Sequence, residues 1–165
     1  MRTAAPARFF LYQPQPPAGK KAKSNGKDSG KSPTTRESAE LRARARKAIK
    51  NGDLGAAEAL RREGVRVKDP AEREAWMLID AEYRLAKKQP AAAGLAAMRL
   101  VILRPDSERV GEALYWAGRS YEGLKRPYKA IELYGQCLAH QKTHDPTRKL
   151  AKARLTKIEK RVGKE

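Results

Sequence analysis

The sequence predicts an all-α fold: about three antiparallel helix pairs stacked in succession, with a capping helix at the C-terminal end and a disordered basic tail at the N-terminal end. Three observations carry this expectation. Alanine and aliphatic residues dominate the apolar fraction, against only two Trp, six Tyr and two Phe, and Ala, Leu, Lys, Arg and Glu are strong helix formers. The few β-branched residues do not alternate with polar ones, so no strand pattern emerges. Pro70, Pro105 and Pro146 recur at separations of 35 and 41 residues, a period that marks stacked helical hairpins.

Residues 1–34 hold five of the ten prolines and a lysine- and glycine-rich run from Gly19 to Lys31. Such a composition buries too little apolar surface to offset its ordering entropy, so this segment is the predicted disordered tail. Order is expected from Thr34, which stands at capping-box distance from Glu37. A first helix then covers about Arg36–Lys50, with Leu41, Ala45 and Ala48 on one face, and Asn51-Gly52 ends it. A second covers about Asp53–Glu63 and stops at Gly64.

Asp69, Pro70 and Glu72 supply a cap, a first-turn proline and a capping-box acid for the third helix. It reaches about Lys88 and points Trp76, Ile79, Tyr83 and Ala86 inward. Pro90 opens a fourth helix that ends before Pro105, and Asp106 or Ser107 caps a fifth that runs to about Lys125. Pro127 opens a sixth, to about Gln141, and Asp145-Pro146 a seventh, ending near Val162. The short connections make sequential helices antiparallel neighbours. In the seventh, Ala151, Leu155, Ile158 and Val162 form one apolar stripe. Lys149, Lys152, Lys157, Lys160 and Arg161 keep its other face wet, as a terminal cap requires.

The formal charge of +18 is unevenly spread. Residues 1–36 carry eight Lys or Arg against Asp28, and residues 141–165 carry nine against Asp145, Glu159 and Glu165. The stretch between is nearly balanced, with twenty bases and fifteen acids. Basic ends of this kind attract nucleic acid, an anionic membrane surface or an acidic protein, or serve only as a solubilising surface.

Several classes are excluded or disfavoured. Cys137 is the only cysteine, so no intrachain disulfide forms. No apolar run approaches the ~18–20 residues of a membrane span. Phe9-Phe10-Leu11-Tyr12 is too short for a secretory signal core, and Pro6, Pro14, Pro16 and Pro17 break the helix that a mitochondrial presequence needs. The expected compartment is the cytoplasm, or the periplasm if a signal sequence is missing. Cys137, His140 and His144 form a Cys-x2-His-x3-His string with too few ligands for a zinc site, and Cys137 falls on a packing position, so no metal and no cofactor is expected. With no Ser/His/Asp pattern and no phosphate loop, no enzyme is expected and no catalytic residue is assigned.

Residues 111–142 carry a family likeness. The spacing Leu114…Ala117-Gly118…Tyr121…Ala130…Tyr134…Cys137-Leu138 resembles the tetratricopeptide repeat, and Lys129-Ala130-Ile131-Glu132-Leu133-Tyr134 is very like the family's second helix. Gly118 and Ala130 match its small positions, which let the two helices of a pair approach closely, while Tyr121 and Tyr134 fill the space to the next pair. A second unit reads Trp76…Ile79…Tyr83, then Ala92 or Ala93, then Pro105, with Asp80 where a small residue is usual. A first unit reads Leu41…Ala45…Ala48 with Ala56 or Ala57, and lacks the aromatics. The resemblance implies a right-handed stack over residues 35–162, with repeats at about 36–68, 70–104 and 107–142 and a capping helix at 145–162. Pro105-Asp106-Ser107…Ala113-Leu114-Tyr115-Trp116 is also similar to bacterial cell-envelope members of the family.

That likeness implies a protein-binding scaffold. Its groove positions, carried onto this chain, are Arg42, Arg46 and Lys50, then Glu74, Met77, Arg84 and Leu85, then Glu112, Tyr115 and Arg119. Such a surface is cationic with apolar footholds at Met77 and Tyr115, and suits an acidic or extended peptide. The asparagines of the family's carboxylate-clamp members are missing, which argues against recognition of a C-terminal carboxylate. Trp76 falls on a packing position, whereas Trp116, beside Ala117, is expected to be partly exposed. Two alternatives stay open: a nucleic-acid-associated protein gripping phosphates with the tail and last helix, and a subunit of a larger, cell-envelope assembly.

Overall fold

The computed structural model describes residues 33–163, so the predicted tail, apart from Pro33 and Thr34, lies outside the described residues. Among them every regular element is a helix: α1 (Thr35–Asn51), α2 (Leu54–Gly64), α3 (Pro70–Ala86), α4 (Pro90–Leu103), α5 (Val110–Gly123), α6 (Pro127–Ala139) and α7 (Asp145–Val162). No described helix is long and apolar enough to cross a membrane.

The local start signals act as their chemistry requires. Thr34 and Glu37 close a full capping box on α1, Asp53 accepts from the Ala56 N–H, and Asp69 accepts from the Ala71 N–H. A proline stands in the first turn of α3, α4, α6 and α7, where its missing N–H costs nothing. The turns inside the three pairs share one device. Gly52, Lys88 and Lys125 all adopt the left-handed conformation, with φ of 79°, 58° and 57°. This ends α3 and α5 two residues earlier than the sequence suggests, and leaves Ala86 exposed rather than inward.

Two expected caps are put to other uses. Glu72 does not reach back to Asp69. Its carboxylate is buried, accepting from Ser38 Oγ at 2.7 Å and from Arg42 Nη2 at 3.0 Å. Neither Asp106 nor Ser107 caps α5, which begins only at Val110. Ser107 Oγ instead donates to buried Glu74 at 2.6 Å and accepts from the Arg109 N–H at 3.1 Å. In both cases a carboxylate removed from water gains more from a distant charge-assisted donor than a local cap could return.

Each helix packs on its sequence neighbour, and α1 on α3, α3 on α5 and α5 on α7 as well. Among the described residues α2, α4 and α6 do not touch one another. The larger core runs from α3 to α7 around Leu78, Leu100, Leu114, Leu133 and Tyr134. A smaller one joins α1 to α3 through Leu41, Ala45, Val67, Trp76 and Ile79. Fully buried Ala45, Ala81, Ala93, Ala97, Ala113, Ala117 and Ala130 bring the helices close, so small side chains rather than an aromatic cluster set the spacing. Tyr134 sits inside the α5–α6 pair against Gly118, not between pairs as the repeat pattern implies. On α7, Ala151 and Ile158 are buried and Leu155 and Val162 pack against the core, while the five basic residues named above are exposed.

Candidate interaction groove

A groove of about 1080 Å³ is lined by α1, α3, α5 and α7, with Pro90 of α4 at its edge. From α1 come Arg46, Lys47, Ile49 and Lys50, all at the helix's C-terminal end. The end of α3 adds Glu82, Leu85 and Ala86, the following turn adds Lys88, and Pro90 comes from the start of α4. Trp116, Arg119 and Glu122 face it from α5, and Arg154 from α7. Ile49, Leu85, Ala86, Pro90 and Trp116 give it apolar ground between the charges. The Trp116 indole N–H is buried and has no hydrogen-bond partner among the described residues.

The charges divide into a paired set and a free set. Arg46 bridges two other helices, with Nε 3.3 Å from Glu82 and Nη2 2.6 Å from Glu112. Glu122 receives Arg154 at 3.6 Å and Arg119 at 4.0 Å, and accepts the Tyr134 hydroxyl. That hydroxyl is held protonated by burial and by the adjoining Glu122 carboxylate. Lys47, Lys50 and Lys88 also line the groove, and they make no ion pair among the described residues. Paired arginines thus fix the walls, while the lysines leave a surplus of positive charge facing solvent.

Glu82 carries a testable electrostatic consequence. Burial pushes its pKa above the usual carboxylate value, opposed by Arg46 and reinforced by Glu112. A carboxyl whose folded pKa exceeds its unfolded one binds more protons folded than unfolded. Its contribution to stability therefore falls as pH rises from the unfolded pKa through the folded one. Glu82→Gln, whose amide carbonyl can still accept from Arg46, removes that decline. Urea titrations at pH 4 and pH 7 should show the variant gaining on the parent at the higher pH. A difference independent of pH contradicts the assignment.

The ten positions inferred from the repeat likeness do not stay together. Arg46, Lys50, Leu85 and Arg119 line this groove, and Glu112 touches it through Arg46. Arg42 is committed to Glu72, and Glu74 is buried against Ser107 and Arg104. Arg84 binds Asp80 at 2.7 Å beside Arg61, and Met77 lines a different cavity. Tyr115 is only 5% exposed, its hydroxyl 3.3 Å from Arg119 Nη1, so it is core rather than a foothold. Its neighbour Trp116, 5.2 Å away edge to face, occupies the groove instead.

Sequence reasoning missed Lys47, Ile49, Lys88 and Arg154. The first two adjoin a predicted position on α1. Lys88 and Arg154 depend on a turn conformation and on where α7 lies, which no local pattern encodes. Cys137, His140 and His144 do not converge: the Cys137 thiol is fully buried 3.1 Å from the Gly111 carbonyl, and His140 Nδ1 lies 3.5 Å from Thr143 Oγ1. Burial pushes the Cys137 thiol up to about 11, so it packs as a small apolar group.

Among the described residues the fold is all-helical, with a cationic, apolar-floored concavity lined mainly by α1, α3, α5 and α7. No protein-family model matches the chain, and no curated protein matches it.

Proposed function

We propose that the chain is a non-catalytic interaction scaffold, a right-handed stack of tetratricopeptide-like helix pairs that binds an acidic, extended segment of another protein. The helix packing supports the stacked reading. Both helices of each pair pack on the first helix that follows, and the second helices stay apart, as in solenoids whose repeats meet only their neighbours. The observation that carries the function is the groove itself, with Lys47, Lys50 and Lys88, which make no ion pair among the described residues, beside Ile49, Leu85 and Trp116. Apolar contacts there supply affinity, and the lysines speed encounter and select against cationic partners.

The probe is a synthetic glutamate-rich peptide with spaced leucines. Trp116 emission, isolated as the difference between the parent chain and Trp116→Phe, reports occupancy of the groove. Lys47→Glu, Lys50→Glu and Lys88→Glu together should weaken this binding at least ~10-fold, since three attractive charges become repulsive. Unchanged affinity sinks the reading.

A nucleic-acid role is favoured by one observation, the exposed Lys149, Lys152, Lys157, Lys160 and Arg161 on α7. It requires a labelled oligonucleotide to bind the full chain with affinity falling several decades between about 50 and 200 mM salt. The scaffold reading expects the acidic peptide to persist over that range while the oligonucleotide is lost.

A further inference from the structure

A second cavity, of about 340 Å³, opens where the last turn of α2 meets α3 and α4. It shares no lining residue with the groove. Its floor is apolar. Gly64 lies directly on the Trp76 ring, so close that a Cβ there would come within 2.2 Å of it, and Met77 and Ala96 extend the floor along α3 and α4. Val65 stands at the lip with 65% of its surface in solvent.

The rim is basic. Arg73 and Arg99 are exposed and make no ion pair among the described residues. Arg61 is held in place by Asp80 at 3.1 Å, with its guanidinium 5.3 Å from the Tyr83 ring centre. Asp80, the one acid in the lining, is already shared between Arg61 and Arg84. Among the described residues, no other carboxylate lines the cavity to answer Arg73 and Arg99.

We propose that this cavity is a second protein-docking site, taking a short acidic segment whose leucine-sized side chain seats on Met77 and Val65 while flanking carboxylates pair with Arg73 and Arg99. Guanidinium forks match carboxylate geometry, so an oxyanion either side of an apolar anchor fits this rim. The Trp76 ring is only 3% exposed and offers no open face for a nucleobase to stack on, which favours an aliphatic anchor over single-stranded nucleic acid. With both sites present the protein is bivalent, able to hold two segments of one partner or bridge two partners. This site stands or falls apart from the groove.

The test uses the full chain with Trp116→Phe, leaving Trp76 as the sole tryptophan to report this cavity, and the same glutamate–leucine peptide. The groove is first disabled by Lys47→Glu, Lys50→Glu and Lys88→Glu. Peptide binding seen through Trp76 should persist in that background and weaken at least ~10-fold on adding Arg73→Glu and Arg99→Glu. Because both arginines are exposed, an unchanged far-UV circular dichroism spectrum is expected, and Arg73→Gln with Arg99→Gln serves as a milder second variant. The proposal is overturned if no Trp76-reported binding survives loss of the groove, if the arginine variants leave it unchanged, or if an oligonucleotide displaces the peptide more readily than an acidic competitor does.

Discussion

Trp76→Ala should cost about 3–5 kcal/mol, the range for deleting a large aromatic from a core, and α1 should melt before α5–α7. The smaller of the two cores holds only Leu41, Ala45, Val67, Trp76 and Ile79, with Ile49 and Leu60 at its edge. Trp76 is its one aromatic residue, so no neighbour of similar size can close the gap. The ring also has a polar duty: its Nε1 donates to buried Ser38 Oγ at 3.0 Å, Ser38 donates to Glu72, and Arg42 donates to the same carboxylate. Truncation therefore opens a cavity over Gly64 and removes one link of the buried chain joining α1 to α3. Trp76→Phe separates the two effects, since it keeps an aromatic ring there and removes the hydrogen bond that Ser38 Oγ accepts while leaving its donation to Glu72, at about 1–2 kcal/mol. Urea unfolding followed by circular dichroism measures both. A Trp76→Ala cost below about 1 kcal/mol would contradict this account of the first pair.

The second large effect lies at Gly118. Alanine there would improve helix propensity by roughly 1 kcal/mol, yet its Cβ would come within 2.6 Å of Tyr134 Cε1 and 2.9 Å of two further ring atoms. The ring has nowhere to go. Tyr134 is fully buried, its hydroxyl is bound to Glu122, and the Tyr115 ring lies 5.9 Å away. Overpacking of this kind costs about 1–3 kcal/mol or more, so Gly118→Ala should be net destabilising and Gly118→Val more so. Gly135, one helix on, is the control. A Cβ there meets nothing within 4 Å, so Gly135→Ala should raise stability by up to about 1 kcal/mol. If both alanine variants stabilise, the close approach of α5 and α6 is wrong.

The likeness that drew attention to Gly118 and Ala130 was legible because small residues at a contact are a local constraint visible in one hairpin. The groove was legible only in part. Arg46, Lys50, Leu85 and Arg119 were reached only by carrying the repeat family's groove positions onto this chain. Met77 and Arg84 sit on the same α3 but line or border the other cavity, because a few residues along a helix is enough to turn a side chain from one surface to another. Tyr115 and Trp116 show the same sensitivity at a single residue's separation: one ring is core and the other faces the groove.

From its own residues this chain settles that every regular element described is helical and where most helices begin, though α5 starts later, and α3 and α5 end earlier, than the local signals suggest. Caps and first-turn prolines act within a turn or two of backbone, so that information is local, whereas the left-handed turns at Lys88 and Lys125 have no such signal. Tertiary structure alone decided the partners of the charges. Glu72 and Ser107 each sat at a plausible cap and were drawn instead to Arg42 with Ser38 and to Glu74, while Arg46 came to hold Glu82 and Glu112 from two other helices. Long polar side chains reach several alternatives, and burial, which makes an unpaired charge costly, chooses among them only once the helices have packed.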